Sequence, residues 1–425
     1  MSSLWNRLLG RESQKNSADA GAPSLRLEPE RGGTVTVEPT PQVTAEKDVR
    51  SAIQVFGLDL LRQECTARPK ENVFISPLSV YLALAMAENG AGGETKQAMR
   101  RVLRIPADAD TLKRNVEARQ LMEALQKQEG IELAIGNALW VDSQMALAPE
   151  FIGLCAEYFD ALVRTLDMKN PASAKIINDW VSEKTRGKIP SIVSAQALQE
   201  TTTLITNAVY FKGKFQIPFR EAATRPRPFH LANGQQKQVP MMQKIGMGAQ
   251  YRSGSRCEAA VLRYAGGEGK GFRIPSDVEL ILILPEKQSP EVILKEDLSG
   301  LFRNPNEEIV LDLALPRFKM DFESSLNQSL ERMGMGIALH YPGADFVPMG
   351  SELFYIADVL HKTRLEVDEE GTVAAAATAV QMECASAMVR REPVVKTLVF
   401  DRPFAVLLRD YRSSVVLFAG VMYEP

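Results

Sequence analysis

The sequence predicts an α+β domain built around large β-sheets. Apolar residues recur at helical spacing through the first half of the chain, whereas the second half holds short β-branched or alternating stretches bounded by Pro, Gly and charged residues. Helices that precede a run of strands are typical of α+β proteins. The 425 residues are 45% hydrophobic and 24% charged, and no internal repeat or interior linker divides them. We therefore predict a single large domain over residues 45–425.

The first 44 residues are predicted to form a disordered, polar leader. Residues 12–44 are rich in Ser, Gly, Pro and charge and carry few large apolar side chains, so burial cannot offset the entropy that ordering would cost. A secretory signal needs a continuous apolar core of about 7–15 residues, but Asn6 and Arg7 interrupt the apolar patch between Leu4 and Leu9. A cytoplasmic location is therefore favoured, and an extracellular one stays open.

The domain is predicted to begin with an amphipathic helix, followed by a second helix with a serine cap. Ser76 has the residue type of an N-cap, Pro77 suits the first helical position, and the pair Asn89-Gly90 favours termination. The apolar residues that give the first helix its spacing are Val49, Ile53, Phe56, Leu60 and Leu61. Further helices are predicted over 95–104, 111–127, 149–158 and 173–185.

Strands are predicted mainly in the second half, where β-branched residues alternate between turn signals. The clearest are 279–284, 309–315, 364–367 and 415–421. Between them, residues 266–271 (GGEGKG) lack the GxxxxGK[ST] pattern of a phosphate-binding loop. We interpret that Gly-rich run as a flexible hairpin loop.

Charge and cysteine usage exclude several classes of function. A net charge of −3 at pH 7 gives no general attraction for nucleic acid or anionic lipid. A membrane span would need about 18 consecutive apolar residues, and the sequence has no such run. The cysteines are scattered singly, so neither a zinc site nor a CxxC redox motif is indicated. We expect no metal and no cofactor. The four cysteines are Cys65, Cys155, Cys257 and Cys384.

Enzyme chemistry finds no support in the sequence. The three histidines, His230, His340 and His361, lie far apart along the chain, and the GxSxG motif of a nucleophile elbow is missing. The neighbouring carboxylates of residues 368–370 would point to alternate faces of a strand, so they do not converge on one bond. The sequence therefore predicts a protein that is not an enzyme.

Residues 369–386 (EEGTVAAAATAVQMECAS) form the most unusual stretch of the chain. The alanines favour a helix by propensity alone, but every second residue is small or apolar, which is the pattern of a strand with one buried face. The charged pair Arg390-Arg391 soon follows. A segment patterned as a central strand that ends in an exposed loop indicates a chain with two alternative positions. The alternating residues are Thr372, Ala374, Ala376, Thr378, Val380, Met382 and Cys384.

Several ordered motifs resemble the serpin family of serine protease inhibitors. EEGTVAAAATAV (369–380) resembles the proximal hinge of inhibitory serpins, and FDRPFAVLLRD (400–410) resembles the family signature that follows the loop. NVFISPLSVYLALAMAENGAGGET (72–95), TTLITNAVYFKGKFQIPF (202–219) and DVLHKTRLEVDEEGT (358–372) match further family segments in the same order. The resemblance spans 45–425 and points to a prokaryotic-like or intracellular member. One departure is Phe215, where the family usually has Trp.

The resemblance implies a serpin fold, with helices packed around large, mostly antiparallel sheets and an exposed reactive-centre loop (369–393). It further implies a suicide inhibitor that traps a serine endopeptidase when the cleaved loop inserts into the main sheet. Family spacing puts the cut between Ala385 and Ser386, with Arg390 and Arg391 as rival sites. The implied hinge consists of Glu369, Glu370, Gly371, Thr372, Val373, Ala374, Ala375, Ala376, Ala377 and Thr378.

Two polar sites are also implied by the resemblance. The first is a hydrogen-bonded cluster that controls opening of the main sheet, named here the sheet-opening cluster; the alternative is that these groups merely satisfy nearby backbone. The second is an ion pair between Glu369 and Arg317 where the loop enters. Cys384 invites a redox interpretation, against which stands an ordinary side chain. The members of the sheet-opening cluster are Ser76, Ser79, Asn207 and His361.

The expected partner is a serine endopeptidase, and the protein is expected to act as a monomer. Ala385 before the cut favours an elastase-like or subtilisin-like protease with a small pocket, whereas a trypsin-like protease would cut at Arg390 or Arg391. Two other functions remain open. One is a non-inhibitory serpin that acts as a binding or chaperone module, and the other is cross-class inhibition of cysteine proteases.

Overall fold

A computed structural model describes residues 48–199, 201–246, 249–269, 272–286, 289–294, 301, 309–350, 354–372 and 394–425. The helical periodicity of the first half is realised with bounds that differ from the sequence-based ranges by two residues or fewer. The long helices of the described residues are α1 (Val49–Ala67), α2 (Pro77–Asn89), α3 (Gly93–Val102), α4 (Thr111–Gln126), α5 (Pro149–Phe159) and α6 (Ala172–Lys184). Short helical segments are α7 (Ala195–Leu198), α8 (Asn327–Leu330) and α9 (Gly336–Leu339), with a π-turn at Glu331–Met335 and 3₁₀ turns at Glu221–Ala223, Pro290–Leu294 and Val347–Met349.

Helix α2 lies in the interior. Ser76 caps it, because its Oγ accepts from the backbone N–H of Ser79 at 3.3 Å, and Pro77 occupies the first helical position. Residues 77–88 are all buried, whichever side of the helix they face. An all-round apolar helix belongs in a core, and its first turn reaches the underside of the main sheet.

The main sheet has six strands in the order β11–β12–β13–β4–β2–β3. Strand β2 was not anticipated from the sequence, because the interior of Ile131–Asp142 is mostly apolar and lacks clean alternation. The pair β12–β4 and the pair β2–β3 run parallel, and the other neighbours run antiparallel. The bounds are β2 (Ile131–Asp142), β3 (Leu162–Leu166), β4 (Thr203–Lys214), β11 (Phe318–Ser325), β12 (Asp358–Val367) and β13 (Gly371–Thr372).

The part of the chain that the structure describes forms two further sheets. The second six-stranded sheet has the order β1–β16–β15–β9–β8–β7, and the small sheet has the order β14–β10–β6–β5. Strands β8 and β9 pair as a hairpin, but residues 266–268 of the predicted loop belong to β8 itself, with Glu268 opposite Arg273. Gly269 follows the strand and donates its N–H to the Phe272 carbonyl, and residues 270 and 271 lie outside the described residues. The bounds are β1 (Val73–Ile75), β5 (Arg225–His230), β6 (Gln236–Lys244), β7 (Gln250–Ser253), β8 (Cys257–Glu268), β9 (Arg273–Pro285), β10 (Ile309–Pro316), β14 (Val394–Val399), β15 (Phe404–Asp410) and β16 (Val416–Met422).

The main sheet is covered on both faces. A large apolar core joins one face to α2 and the second sheet. A smaller cluster, which includes Trp140, Ile177, Val181 and Leu204, packs the other face against α6 and the segment that follows it. A strand added to the interior of this sheet therefore has to enter along the sheet plane, between strands that already pair.

The parallel pair β12–β4 forms a seam in the middle of the main sheet. Residues 358–364 of β12 face residues 204–210 of β4 in register, from Asp358 opposite Leu204 to Arg364 opposite Tyr210. Beyond Arg364 the two strands are separated by the two-residue strand β13. The seam is thus closed along most of its length and holds an extra strand at one end.

Other predictions meet the structure as follows. Cys65, Cys155 and Cys257 are buried, and burial raises the pKa of Cys65 and Cys155 to about 12. No helix among the described residues is long and apolar enough to cross a membrane. Within the same residues, no group of three or more His, Cys, Asp or Glu side chains is arranged to hold a metal ion. The predicted leader (1–44) lies outside the described residues.

Candidate functional site

The predicted hinge begins inside the main sheet. Gly371 and Thr372 form β13, with Thr372 opposite Val367 of β12 on one side and Gly213 of β4 on the other. Both pairings are antiparallel, so the chain reverses after β12 and starts down the seam between the strands. Two residues of the hinge therefore already occupy a central strand position.

Only glycine fits at position 371. Its φ of +149° is a conformation that L side chains rarely adopt. A Cβ there would lie 2.3 Å from the carbonyl oxygen of Gly213 and 2.7 Å from Cα of Lys214. The hinge glycine thus allows the backbone of β13 to approach β4 closely enough to pair.

Thr372 is fully buried at the end of the main sheet that contains β13. Its Oγ1 lies 2.7 Å from the hydroxyl of Tyr264, which is also buried. Burial raises the pKa of Tyr264, so that phenol stays protonated and remains available for the hydroxyl–hydroxyl contact. A small β-branched alcohol suits this space, and a charged residue would lose its hydration without a partner.

A tight turn joins β12 to β13. Oδ1 of Asp368 accepts from the backbone N–H groups of Glu370 at 3.0 Å and of Gly371 at 3.2 Å, and the Asp368 N–H donates to the Gly371 carbonyl at 2.9 Å. Such a side-chain-closed turn fixes the direction in which the chain leaves β12. The carboxylates of residues 368–370 have different partners, but they lie in this turn and not on the strand that the sequence had led us to expect.

Glu369 is a buried carboxylate rather than a surface one. Nε of Arg317 donates to its two oxygens at 2.8 and 2.7 Å, and the Thr224 hydroxyl donates to Oε1. The Glu369 side chain is only 4% exposed. Burial alone would raise the pKa of Glu369, but these donors hold it below its ordinary value. Removal of the Arg317 guanidinium would therefore leave a buried charge unpaired, which costs more free energy than the loss of an exposed ion pair.

Phe215 stands beside the turn at the end of β4. Its backbone N–H donates to the Glu370 carbonyl at 2.7 Å, and its ring stacks on Tyr264 with a centroid separation of 5.3 Å. The backbone N–H of Phe219 donates to the Glu369 carbonyl at 2.7 Å. This aromatic position thus contacts both the hinge and the tyrosine beneath Thr372, although it is not the usual tryptophan.

A buried lysine, Lys244, lies against the two aromatic residues next to the turn. Nζ of Lys244 lies 4.3 Å from the ring centroid of Phe219 and 5.7 Å from that of Phe215, and it donates to the Ile217 carbonyl. Burial lowers the pKa of Lys244 to about 7. No sequence pattern had singled out this residue, because a Lys at the end of a strand normally reaches water.

The four residues of the sheet-opening cluster come together in the middle of the seam. Nδ1 of His361 and Oδ1 of Asn207 are 2.5 Å apart, and the two residues are partners in the β12–β4 register. The backbone N–H of Ser76 donates to Nε2 of His361 at 3.1 Å, and the Asn207 amide donates to Oγ of Ser79. All four are buried.

The hydrogen bonds define the protonation state of His361. Because Nε2 accepts from a backbone N–H, the single ring proton is on Nδ1 and is donated to Asn207. Burial lowers the pKa of His361 to about 3, so the ring is neutral at physiological pH. A neutral, hydrogen-bonded histidine in this position ties β12 to β4 and to the start of α2.

The sequence did not reveal a fifth member, Asn137 of β2. Its Oδ1 accepts from the Asn207 amide and from Oγ of Ser79, the latter at 3.4 Å. Asn137 is buried and lies opposite Asn207 in the β2–β4 register. The available signal was a lone amide within the otherwise apolar stretch Ala134–Val141 of β2, because buried polar groups require partners.

A cavity of about 370 Å³ lies over the lower end of the seam. Leu204 of β4 and Asp358 and Leu360 of β12 form its floor, and Ser194 and Ala197 of the segment after α6 form part of its cover. It sits on the face of the sheet opposite to the sheet-opening cluster. Residues of a strand that entered the seam here would find space on that face.

The remaining predicted site residues lie outside the described part of the chain. They are Val373, Ala374, Ala375, Ala376, Ala377 and Thr378 of the hinge, the bond between Ala385 and Ser386, the rival positions Arg390 and Arg391, and Cys384.

Taken together, these features define a class of α+β proteins with a central sheet that offers a strand position. In the described residues, Gly371 and Thr372 enter that position at one end, and a buried polar cluster closes the seam further down. The arrangement suits a protein that gains a strand from its own chain.

Comparisons with known proteins give the family. A family model described as Serpin (serine protease inhibitor) matches residues 51–425. A serpin-like protein of Thermococcus kodakarensis is 36% identical over 388 residues, which cover 89% of this chain and 86% of the relative. The leukocyte elastase inhibitor of Xenopus tropicalis is 31% identical over 393 residues, which cover 89% of this chain and 100% of the relative. The solved native structure of tengpin, a thermophilic serpin, matches with a TM-score of 0.77 and 26% identity, covering 90% of this chain and 96% of that one.

The chain belongs to the serpin family. The predicted serpin fold is confirmed by the family match and by the solved structures that share it.

Proposed function

We propose that this serpin inhibits serine endopeptidases by trapping them. The observation that supports the proposal is that Gly371 and Thr372 of the hinge already lie between β12 and β4 in the main sheet. A protease binds the loop as a substrate, and its serine attacks the carbonyl of Ala385 to form an acyl-enzyme while the amine of Ser386 leaves. The freed loop then enters the seam as a new central strand. Addition of a serpin's own loop to its sheet is an established case of strand addition.

The geometry of the seam supplies the driving force. The seven parallel pairings between β12 and β4 would give way to two antiparallel ladders, one on each side of the inserted strand. About ten additional ladder hydrogen bonds, at roughly 0.5–1.5 kcal/mol net each, amount to an order of 10 kcal/mol. Burial of Val380 and Met382 adds about 1.5–3 kcal/mol for each side chain.

The register of β13 gives the inserted strand a definite alignment. If the loop continued in the register of Thr372 with Val367 and with Gly213, Thr378 would lie between His361 and Asn207. Its hydroxyl would then take over hydrogen bonds that the parted pair loses. Gln381, on the opposite face, would point toward the cavity above Leu204 and Asp358.

The composition of the hinge suits rapid entry. The residues from Val373 to Ala377 are small, so they can pass between parting strands without overpacking the core. From Thr372 to Ala385 the inserted segment would extend about 45 Å at the rise of a β-strand. An acylated protease would be carried to the far end of the sheet, and its active site would be distorted before deacylation.

We assign the cut to the bond between Ala385 and Ser386 and the target to proteases with a small primary pocket, elastase-like or subtilisin-like. The resemblance of residues 369–386 to the family's loop supports this assignment, as does the name of the leukocyte elastase inhibitors among its relatives. Cleavage by a trypsin-like protease at Arg390 or Arg391 is the rival.

The deciding experiment mixes the protein with elastase, subtilisin and trypsin in turn. Each mixture is run on a denaturing gel, and the released C-terminal fragment is weighed by mass spectrometry. We expect an SDS-stable complex with elastase or subtilisin and a fragment that begins at Ser386. A stable complex whose fragment begins after Arg390 or Arg391 would overturn the assignment of the bond, and clean cleavage by all three without a complex would overturn the trapping of serine proteases.

Two alternatives are distinguished by the same design. A non-inhibitory serpin acting as a binding or chaperone module would be cut without trapping, but the small residues at 372–377 do not favour it. A cross-class inhibitor would form its stable complex with a cysteine protease, so papain is added to the panel. A complex with papain and none with the serine proteases would identify that second case.

A further inference from the structure

Arg273 connects the hinge to the β8–β9 hairpin, and no sequence motif had assigned it a role. Its Nη2 donates to Oε2 of Glu370 at 3.0 Å, and its Nη1 donates to the carbonyl of Phe215 at 2.7 Å. The side chains of Arg273 and Glu370 are 16% and 12% exposed. Because the Phe215 N–H also donates to the Glu370 carbonyl, three residues close a ring of hydrogen bonds at the start of β13.

This ring lies on the other side of the turn from the Glu369–Arg317 pair. Consecutive carboxylates are therefore held from two directions, one by Arg317 and Thr224, the other by Arg273. Arg273 reaches the hinge because β9 begins there, directly after the Gly-rich turn, and pairs back to Glu268. The hairpin that the sequence marked only as a loop thus delivers a guanidinium to the hinge.

We propose that Arg273 is a positioning residue for loop insertion, which holds Gly371 and Thr372 seated in the sheet. The proposal rests on the trapping function proposed above. The contacts of Arg273 go to Glu370, which precedes the moving part of the loop, and to Phe215, which directly follows β4, so insertion need not break them. They fix the register in which the first ladder hydrogen bonds form, and insertion then proceeds from a preorganised end.

Positioning matters because insertion competes with deacylation. If insertion is slowed while the protease still hydrolyses the acyl bond at its usual rate, more inhibitor molecules are consumed as substrate for each protease trapped. The quantity that reports this competition is the stoichiometry of inhibition. A residue with a merely structural role would alter the melting temperature without altering that ratio.

The experiment compares wild type with Arg273→Gln and Arg273→Lys against elastase and subtilisin. Arg273→Gln removes the charge, and we expect the inhibitor molecules cut per complex formed to rise about fivefold, the factor that about 1 kcal/mol represents. Arg273→Lys keeps the charge but loses the forked geometry that serves two acceptors, so an intermediate ratio is expected. Glu370→Gln should match Arg273→Gln, and the double variant should be no worse than either single one.

Arg412→Gln is the matched control, because Arg412 also binds a carboxylate, Asp277 at 2.8 Å, but is 74% exposed and far along the chain from the hinge. Its ratio should equal that of wild type. If wild type traps protease and Arg273→Gln traps it at an unchanged ratio, the role of Arg273 is wrong while trapping stands. If wild type traps none of the proteases, the proposed function itself fails. Effects of Arg273→Gln and Glu370→Gln that add in the double variant would show that the two residues do not act as a pair.

Discussion

His361 and Asn207 face each other across the β12–β4 seam, with Nδ1 of His361 2.5 Å from Oδ1 of Asn207. Below them, the same two residues bind the start of α2, through the Ser76 N–H and the Ser79 hydroxyl. A strand that enters the seam has to separate this pair. We therefore expect the stability of the closed sheet and the ease of its opening to depend on this set of buried hydrogen bonds.

Replacing Asn207 with alanine should loosen the closed sheet. The substitution leaves the His361 Nδ1–H without an acceptor, at a cost of about 1–3 kcal/mol for the buried group left unsatisfied. It also removes the bonds that the Asn207 amide makes to Asn137 and Ser79, which keep only their contact with each other. We expect a lower melting temperature for the intact protein and a faster loss of inhibitory activity during storage. Asn233→Ala, at an exposed turn where the amide bonds only Gln235, is the control. An unchanged melting temperature for Asn207→Ala would show that the cluster does not hold the seam.

Acid should weaken the native state through His361. In the unfolded chain this imidazole takes up a proton below pH of about 6.5, whereas in the folded chain its pKa is about 3. Between these values the unfolded state binds more protons, so the free energy of unfolding falls as pH falls, by at most about 1.4 kcal/mol per pH unit. Melting curves from pH 7 to pH 4 should show this loss.

The variant His361→Gln isolates that contribution. Glutamine does not titrate, so the difference between the wild-type and variant curves should shrink as pH falls from 6.5 toward 4. His340→Gln removes an exposed histidine bound to Glu331 and serves as the control for the loss of an imidazole. Parallel curves for wild type and His361→Gln would contradict the assignment.

Lys244 should make the protein less stable near neutral pH than in mild base. Its pKa is about 7 in the folded chain and about 10.4 in the unfolded chain, so between these values the unfolded state binds more protons and stability rises with pH. Lys244→Met keeps the apolar stem against Phe219 and removes the amine. We expect this variant to melt several degrees higher at pH 7.5 and to lose most of the wild-type rise between pH 7.5 and pH 9.5.

Two outcomes would argue against the prediction that burial of the Lys244 amine destabilises the protein. The first is a Lys244→Met variant that melts lower at pH 7.5, which would mean that the contacts with Phe215, Phe219 and the Ile217 carbonyl outweigh the cost of burying the amine. The second is an unchanged pH dependence in the variant. Lys237→Met, which removes an amine that is 43% exposed and bound to Glu424, controls for the general effect of losing a positive charge.

How far the sequence reaches differs between fold and site. The buried face of α1 and the Ser76 cap could be predicted, because periodicity and capping are local properties. The partners Ser76, Ser79, Asn207 and His361 could be named only by resemblance, since 285 residues separate the first from the last and the contact is created by the sheet. Asn137 escaped notice because a single amide in a strand gives no hint of its partner.

Arg273 and Lys244 were beyond sequence reasoning for a related reason. Each is a charged residue at a strand end, where the ordinary expectation is exposure to solvent. What buries Lys244 is the approach of Phe215, Phe219 and the Ile217 carbonyl. Arg273 is held by the approach of Glu370 and of the Phe215 carbonyl. The order of residue types along the chain gives no information about such contacts between distant segments.

Thr372→Arg should turn an inhibitor into a substrate. Thr372 is fully buried against Tyr264, and an arginine there would have to bury an unpaired charge at a cost of several kcal/mol. The loop would then be excluded from the seam, and the acyl-enzyme would be hydrolysed. On a denaturing gel with elastase we expect the cleaved chain and no stable complex.

Thr372→Val is the companion to that substitution. It keeps the size and branching of the side chain and loses only the contact with the Tyr264 hydroxyl, so trapping should persist with a modest rise in inhibitor consumed. A Thr372→Arg variant that traps elastase at the wild-type ratio would refute insertion of residue 372. Loss of trapping in both variants would instead indicate that the hydroxyl pair, and not the absence of charge, governs insertion.

Cutting the loop should make the protein more stable, and this follows from the seam. The intact chain keeps β12 and β4 paired in parallel over seven residues, while two antiparallel ladders become available only when the loop is free at one end. Limited cleavage with a metalloprotease, which forms no acyl-enzyme, should therefore raise the melting temperature by tens of degrees, given an order of 10 kcal/mol of new hydrogen bonding. The cleaved Thr372→Arg chain should stay near its intact value, because its loop cannot enter. A cleaved wild-type chain that melts no higher than the intact one would mean that no strand is gained, and trapping by insertion would have no source of energy.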